Sequence, residues 1–389
     1  MRVLTVTWNV NEPLIDELQS EKTGGAILIR NLAQYIGERC ESYLMIGSMK
    51  LSGGKYGNVY YVGTKNAEDI VSPSGNPKET KLLTMEAAFD KALESINPSI
   101  VNIHGKGDFA YYCIQKCMKE EIPCVYTEHL FIRRDASFGG YDNDVILEDK
   151  IYSLQGIKVI AVSSAMRDNI LLQYPNINPH DISVILNGTD FQLISRDEEL
   201  EKKYNPDNRR LLVCSGSIID RKNQKQLINV FKELPSYIKN NIKIIFCGND
   251  TTQGAFQKQI YDEGLSDYLV YAGAFSNKDM MQLYSIADGM VMPSLCEGLS
   301  VSVLEMLSFG KPVIMYEDVE GASDLYDEEV ISFAKEHTDK AFADAIVKWY
   351  EKEWDESYIK EYVRYFSLDR MAEDYIQFYE NFLQEAIDE

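Results

Sequence analysis

The chain has 389 residues, 45% of them hydrophobic and 26% charged, and a net charge of −22. That length exceeds one ordinary core and suits two α/β domains. The acidic balance argues against nucleic acid, whose phosphates need clustered Lys and Arg, and against adhesion of the whole surface to anionic lipid. A small basic patch such as Arg133 and Arg134 leaves room for a local peripheral membrane contact.

Cys40, Cys113, Cys117, Cys124, Cys214, Cys247 and Cys296 are odd in number, and several sit in apolar runs such as IKIIFCG. They read as buried free thiols of a reducing compartment. Cys113 and Cys117 lack the further ligands of a zinc set and read as helix residues. MRVLTVTWNV has no long apolar leader core, and no stretch reaches about 18 uninterrupted apolar residues. The expected location is cytoplasmic, at most peripheral at the inner membrane face.

In chain order, the expected strands of the first half are RVLTVTW (2–8), SYLMIGS (42–48), NVYYVGT (58–64), IVNIHG (100–105), PCVYTEH (123–129), VIAVSS (159–164) and ISVILNG (182–188). Runs of Val, Ile and Tyr with few polar breaks suit strands covered on both faces. Between the first two, GGAILIRNLAQYIGE has a helical period, with Ile29, Leu32, Ala33 and Ile36 at i, i+3, i+4 and i+7. After residue 190 the rhythm restarts with LLVCSGS (211–217), IKIIFCG (242–248), LVYAGA (269–274), GMVMPS (289–294) and PVIMYE (312–317). Such alternation implies parallel sheets with right-handed crossovers, and two sets imply two Rossmann-like domains, 1–190 and 191–366. The polar segment 191–209, with Pro206, is the expected linker. The stretch from about 367 to 389 is amphipathic, with Met371, Tyr375, Phe378, Tyr379 and Phe382 at helical spacing, and is expected to pack back on the first domain.

No GxGxxG follows the first strand, and neither a GxxxxGK[ST] loop nor a GxSxG elbow occurs. Hydride transfer, phosphate-loop ATPase and serine hydrolase chemistry therefore lack their motifs. Asp142-Asn143-Asp144 has the D-x-D form of some metal-dependent sugar transferases, but GGYDND reads as a turn.

The run PSLCEGLSVSVLEMLSFGKPVI, residues 293–314, reads as strand end, loop with Gly298, and a helix from about Ser300 to Phe309 stopped by Gly310 and Pro312. A helix N-terminus at the carboxyl edge of a parallel sheet favours a diphosphate. Glu297 in the loop and Glu305 in the helix could each accept hydrogen bonds from a vicinal diol, one on a sugar and one on a ribose. Ser302-x-x-Glu305 also fits a capping box, and Glu297 also fits an ordinary loop acid.

This run, PS-x-x-EG-x-x-x-x-x-LE-x-x-x-x-GKPVI, closely resembles the retaining GT-B glycosyltransferases of family 4, the glycosyl transferases of group 1. The resemblance extends over nearly the whole chain. It implies an α/β GT-B fold, two Rossmann-like domains with parallel sheets facing across a cleft. The acceptor would lie on the N-terminal domain and a nucleotide sugar on the C-terminal one. The other landmarks come in family order. Thr23-Gly24-Gly25 resembles the glycine loop that approaches donor phosphates or acceptor, although a plain tight turn needs the same residues. Tyr126-Thr127-Glu128-His129 resembles the Thr-x-His segment, and by that likeness His129 would lie near the transferred sugar; where an Asp often follows, this chain has Leu130. His104 is a second candidate, while His180 and His337 read as surface residues. Asn187-Gly188-Thr189-Asp190 resembles the segment closing the N-terminal domain and is given hinge geometry. Gly216 ends a strand, and Arg221 with Lys222 resembles the basic pair that grips the donor diphosphate; many members have Arg where this chain has Ser217. Gly248 and Gly273 match further glycines of the nucleotide pocket.

The implied activity is retaining transfer of a hexose or N-acetylhexosamine from a nucleotide diphosphate sugar, with UDP-sugar favoured and GDP-mannose fitting the same motifs. The acceptor would be a glycan, a lipid-linked saccharide or a small molecule. Candidate catalytic residues are His129, Arg221, Lys222 and Glu297. Candidate donor-binding residues are Gly24, Gly25, Gly216, Arg221, Lys222, Glu297, Gly298, Leu299, Ser300 and Glu305. No metal and no cofactor beyond the nucleotide sugar as co-substrate is expected. A nucleotide-sugar epimerase on the same fold, or a non-catalytic nucleotide-sugar binder, are the competing readings.

Overall fold

A computed structural model describes residues 1–7, 24–47, 53–64, 70, 72–136, 138–191 and 194–388. Trp8 and Ser48, which close two of the expected strands, and Thr23 of the expected glycine loop lie outside them. The chain divides into two compact units. The first comprises Met1–Ala136, Gly140–Gly188 and Leu368–Glu389; the second comprises Ser137–Gly139 and Thr189–Ser367.

The first unit has strands β1 (Arg2–Thr7), β2 (Glu41–Ile46), β3 (Gly54–Tyr56), β4 (Val59–Val62), β5 (Ile100–His104), β6 (Cys124–Glu128), β7 (Lys158–Ala161) and β8 (Ile182–Val184). They form one sheet of order β3-β4-β2-β1-β5-β6-β7-β8. All pairs are parallel except β3 with β4. Every residue of β5 is buried, as a strand covered on both faces requires. The helix Gly24–Ile36 buries Ile29, Leu32, Ala33 and Ile36.

The helix Leu368–Asp388 belongs to this unit and packs beside Gly24–Ile36. Met371, Tyr375 and Tyr379 form its buried stripe. The sheet face beneath is partly polar: Asn102 Nδ2 donates to the Tyr379 hydroxyl at 2.7 Å, and Thr127 Oγ1 donates to Asn102 Oδ1 at 2.8 Å.

The second unit holds β9 (Arg210–Ser215), β10 (Ile242–Cys247), β11 (Leu269–Gly273), β12 (Gly289–Met292), β13 (Val313–Tyr316) and β14 (Ile331–Ala334). The order is β11-β10-β9-β12-β13-β14, all parallel. It is the doubly wound arrangement in which strand order reverses between β9 and β12.

Three details differ from the expected elements. β3 and β14 are additional strands. Asp142-Asn143-Asp144 is not a free turn: it opens the helix Asp142–Tyr152, where acidic side chains suit the positive end of the helix dipole. The segment 191–209 carries a helix, Glu198–Tyr204, whose first amides are capped by Asp197.

Candidate functional site

Open parallel sheets bind ligands beyond the carboxyl ends of their strands, where the order reverses. In the second unit that point lies past β9 and β12. From β9 the chain passes Gly216 and Ser217 into a 3-10 turn, Asp220–Lys222. From β12 it runs through Glu297 and Ser300 into the helix Val301–Ser308, which Gly310 terminates.

Two glycines at this edge are dictated by space. Gly216 has φ +118°, and a Cβ there would come 3.3 Å from Lys222 Cε. A Cβ on Gly248 would strike the Gly216 carbonyl oxygen at 2.1 Å, so the end of β10 packs directly on the turn backbone.

The two loops meet through charge. Lys222 Nζ is 2.5 Å and Arg221 Nη1 3.2 Å from Glu297 Oε1. Arg221 Nη1 also donates to the Cys296 carbonyl at 2.5 Å, and the Leu295 amide donates to the Arg221 carbonyl at 2.8 Å. Burial alone would raise the Glu297 carboxyl; Lys222 and then Arg221 outweigh it and hold the pKa at about 2. The cluster thus has two cations for one carboxylate, and retains a positive charge at a strand edge.

Ser300 is the N-cap of Val301–Ser308 and makes no side-chain cap bond; its hydroxyl lies 3.0 Å from that of Ser302. The capping box of Ser302 with Glu305 does not form. Gly298 and Leu299 are buried against Gly321, where a Cβ would meet the Gly298 carbonyl oxygen at 2.3 Å. Glu305 has no cation beside it, and burial pushes its carboxyl up to about 8. It lies near Tyr284, whose hydroxyl pairs with Ser215 at the end of β9.

Arg221, Lys222, Glu297, Gly298, Leu299, Ser300, Gly216 and Glu305 therefore belong to one strand edge of one unit. His129, Gly24 and Gly25 belong to the other unit. Gly24 opens the first helix, and a Cβ on Gly25 would have none of the described residues within 4 Å. His129 follows β6 and is bonded to His104, Nε2 to Nδ1, at 2.8 Å. Burial lowers His129 to about 4 and drives His104 well below the usual imidazole range.

The sequence reading missed a buried charged cluster next to His129. Lys106 pairs with Glu148, lies 3.6 Å from Glu128 and donates to the Leu130 carbonyl. The Ile132 amide donates to Glu148 at 2.9 Å, and the hydroxyls of Tyr126 and Tyr152 donate to Glu128, each at 3.1 Å. The side chains of Lys106, Glu128 and Glu148 are 8%, 1% and 0% exposed. The available signal was a lone acid, Glu128, ending an apolar strand; its partner Glu148 carries no motif. Among the described residues no group of His, Cys, Asp and Glu is arranged to hold a metal ion, and no helix is long and apolar enough to cross a membrane.

Two doubly wound α/β units, the second with cations and a helix N-terminus at its switch point, define the GT-B class. The description "Glycosyltransferase Family 4" matches residues 23–193 and "Glycosyl transferases group 1" matches residues 195–365. The chain thus carries a family 4 glycosyltransferase domain followed by a group 1 glycosyl transferase domain. It is 26% identical over 157 residues to the O-antigen chain mannosyltransferase RfbU of Salmonella typhimurium, covering 40% of this chain and 41% of the relative. It is 22% identical over 168 residues to an uncharacterised glycosyltransferase of Methanocaldococcus jannaschii, covering 41% and 42%. The chain thus spans about two-fifths of the length of these curated relatives. Among solved structures it is similar to a sucrose-phosphate synthase of Thermosynechococcus elongatus, with TM-score 0.75, 14% identity, and 98% and 99% of the two chains covered. It is also similar to Anabaena HepE in complex with UDP and glucose, with TM-score 0.71, 15% identity, and 98% and 100% covered.

Proposed function

We propose that the protein transfers a hexose or N-acetylhexosamine from a nucleotide diphosphate sugar, with UDP-sugar as the favoured donor, to a glycan, a lipid-linked saccharide or a small molecule. The observation that carries this reading is the pairing of Arg221 and Lys222 with Glu297 beside the N-terminus of Val301–Ser308. Breaking an anomeric bond to a diphosphate develops negative charge on the phosphate. Two cations and a helix N-terminus stabilise that charge, often the largest catalytic contribution. Arg221 supplies a fork and Lys222 a point charge.

Glu297 holds both cations in place and offers its remaining capacity to sugar hydroxyls. Glu305 accepts hydrogen bonds from the ribose diol. From the first unit, the reading takes Gly24 and Gly25 as a close backbone approach and His129 as a contact of the transferred sugar. These roles come with the family likeness, as does retention of anomeric configuration. A front-side route, in which the leaving phosphate takes the acceptor proton, calls for no protein nucleophile. Cations and amides already serve the phosphates, so the reading is metal-independent. It places the enzyme in the cytoplasm, with a peripheral contact to the inner membrane face where the acceptor is lipid-linked.

GDP-mannose is the second donor reading. It is favoured by a relative in Mycobacterium tuberculosis, a GDP-mannose-dependent alpha-(1-6)-phosphatidylinositol monomannoside mannosyltransferase, 25% identical over 123 residues, 30% of this chain and 32% of the relative.

The test is incubation with a panel of UDP- and GDP-sugars, with and without acceptors and with EDTA present. Free nucleotide diphosphate together with an extended product supports the proposal. Isomerised donor without acceptor would make the protein an epimerase, and tight binding without turnover would make it a binding protein.

A further inference from the structure

In the first unit His104 ends β5, and His129 follows the end of β6 by one residue. The two ring planes are inclined by 24° with centroids 5.1 Å apart, and His104 Nδ1 lies 2.8 Å from His129 Nε2, so the rings meet edge to edge. Two ring nitrogens at that distance share one proton, so one donates and the other accepts. The nitrogen each ring has left over decides which.

His104 is 1% exposed, and its Nε2 has no hydrogen-bond partner among the described residues. A neutral His104 carries its proton on one nitrogen. On Nε2, it would bury an orphan N–H, the less tolerated kind of unpaired group. On Nδ1, it leaves only an unused lone pair. Burial keeps both rings neutral, which removes the alternative of an imidazolium between them.

We infer that His104 sets the tautomer of His129: it donates through Nδ1–H to His129 Nε2, so His129 carries its own proton on Nδ1 and meets its ligand as a hydrogen-bond donor. A base is thereby excluded at this position. The matching ligand group is an acceptor oxygen, such as a sugar hydroxyl or ring oxygen. His104 touches no ligand in this account and is a positioning residue. The consequence for turnover rests on the function proposed above; the tautomer does not.

The experiment is ¹⁵N NMR of the imidazoles in the uniformly labelled full-length protein. The chain has four histidines, and His180→Asn and His337→Asn identify two of the signals. His129 is expected to show a protonated Nδ1 and a bare Nε2, unchanged from about pH 8 to about pH 6, where an ordinary histidine titrates. His104→Leu removes the donor and should let the Nε2–H form of His129 appear. His104→Asn, whose amide can replace Nδ1–H, should restore the Nδ1–H form. A wild-type His129 protonated on Nε2, or an unchanged tautomer in His104→Leu, overturns the inference. If His104→Leu fails to fold, the wild-type and His104→Asn spectra decide alone. In turnover, His104→Leu should lower kcat by about tenfold, the weight of one oriented hydrogen bond, with recovery in His104→Asn. A changed tautomer with unchanged kcat would remove His129 from the proposed chemistry while leaving the tautomer assignment standing.

Discussion

Both units place a buried ionic cluster at the carboxyl end of a parallel sheet, and the two differ in their balance of cations and acids. In the second unit Arg221 and Lys222 share one carboxylate, Glu297. In the first, Lys106 alone faces two, Glu128 and Glu148. The acid responds accordingly. Glu297 is held at about 2, whereas burial drives Glu128 and Glu148 upward and Lys106 offsets only part of the effect. An excess of cation suits an anionic diphosphate. An acid pair that holds on to a proton, beside two neutral histidines, offers a phosphate no positive charge and suits an uncharged polyol. The same sheet topology therefore supplies two edges of different chemistry, and the difference lies in a handful of loop residues.

The comparison can be broken from the acidic side first. Lys106→Met leaves two buried carboxylates without their cation and should destabilise the protein by about 3–5 kcal/mol in urea unfolding. The loss should grow with pH, because acids whose folded pKa is raised bind more protons folded than unfolded, so stability falls as pH rises. Adding Glu148→Gln should return part of it. A wild-type unfolding curve would mean that the pair contributes nothing to holding Leu130 and Ile132.

On the cationic side, Lys222→Ala should lower kcat by about 100-fold or more and slow turnover more than it harms folding, because Arg221 still faces Glu297. Wild-type turnover would remove Lys222 from the diphosphate site. A smaller effect is expected from Gly248→Ala, whose Cβ would meet the Gly216 carbonyl at 2.1 Å. Displacement of that turn should cost about 1–3 kcal/mol and weaken donor binding in parallel; stability and donor affinity that both match wild type would show that the turn yields freely.

The smallest effect concerns Glu305. Below its pKa of about 8 the free protein holds a proton that the ribose diol must displace. Nucleotide-sugar affinity should rise about tenfold per pH unit toward 8 and then level off. Glu305→Gln should flatten that profile, weaken binding at pH 8 and, by removing a half-buried acid whose carboxyl is pushed up, stabilise the ligand-free protein there. A pH-independent wild-type affinity would refute the ribose role.

Legibility followed physical reach. The buried strands were readable because continuous apolar runs such as IKIIFC leave little else to form, and all six of those residues are buried. β3, the three residues Gly54–Tyr56 at a sheet edge, is too short to show alternation. Asp142-Asn143-Asp144 misled because the residues that favour turns also favour helix starts. At the candidate site, Arg221 and Lys222 are consecutive and Glu297 sits in a dense motif, so a short window contains the signal. Lys106 and Glu148 are 42 residues apart, and only folding brings them together. The tautomer of His129 is further still from the sequence, because it depends on what a second ring cannot reach.

The central claim is that the second unit's strand edge grips a nucleoside diphosphate through Arg221 and Lys222. Calorimetric titration of the full-length protein with UDP and with GDP, beside the Arg221→Ala/Lys222→Ala double variant, tests it directly. The account predicts saturable binding of at least one of the two nucleotides to the wild type and loss of that binding in a variant that still unfolds cooperatively. Undiminished binding in the folded double variant would contradict it.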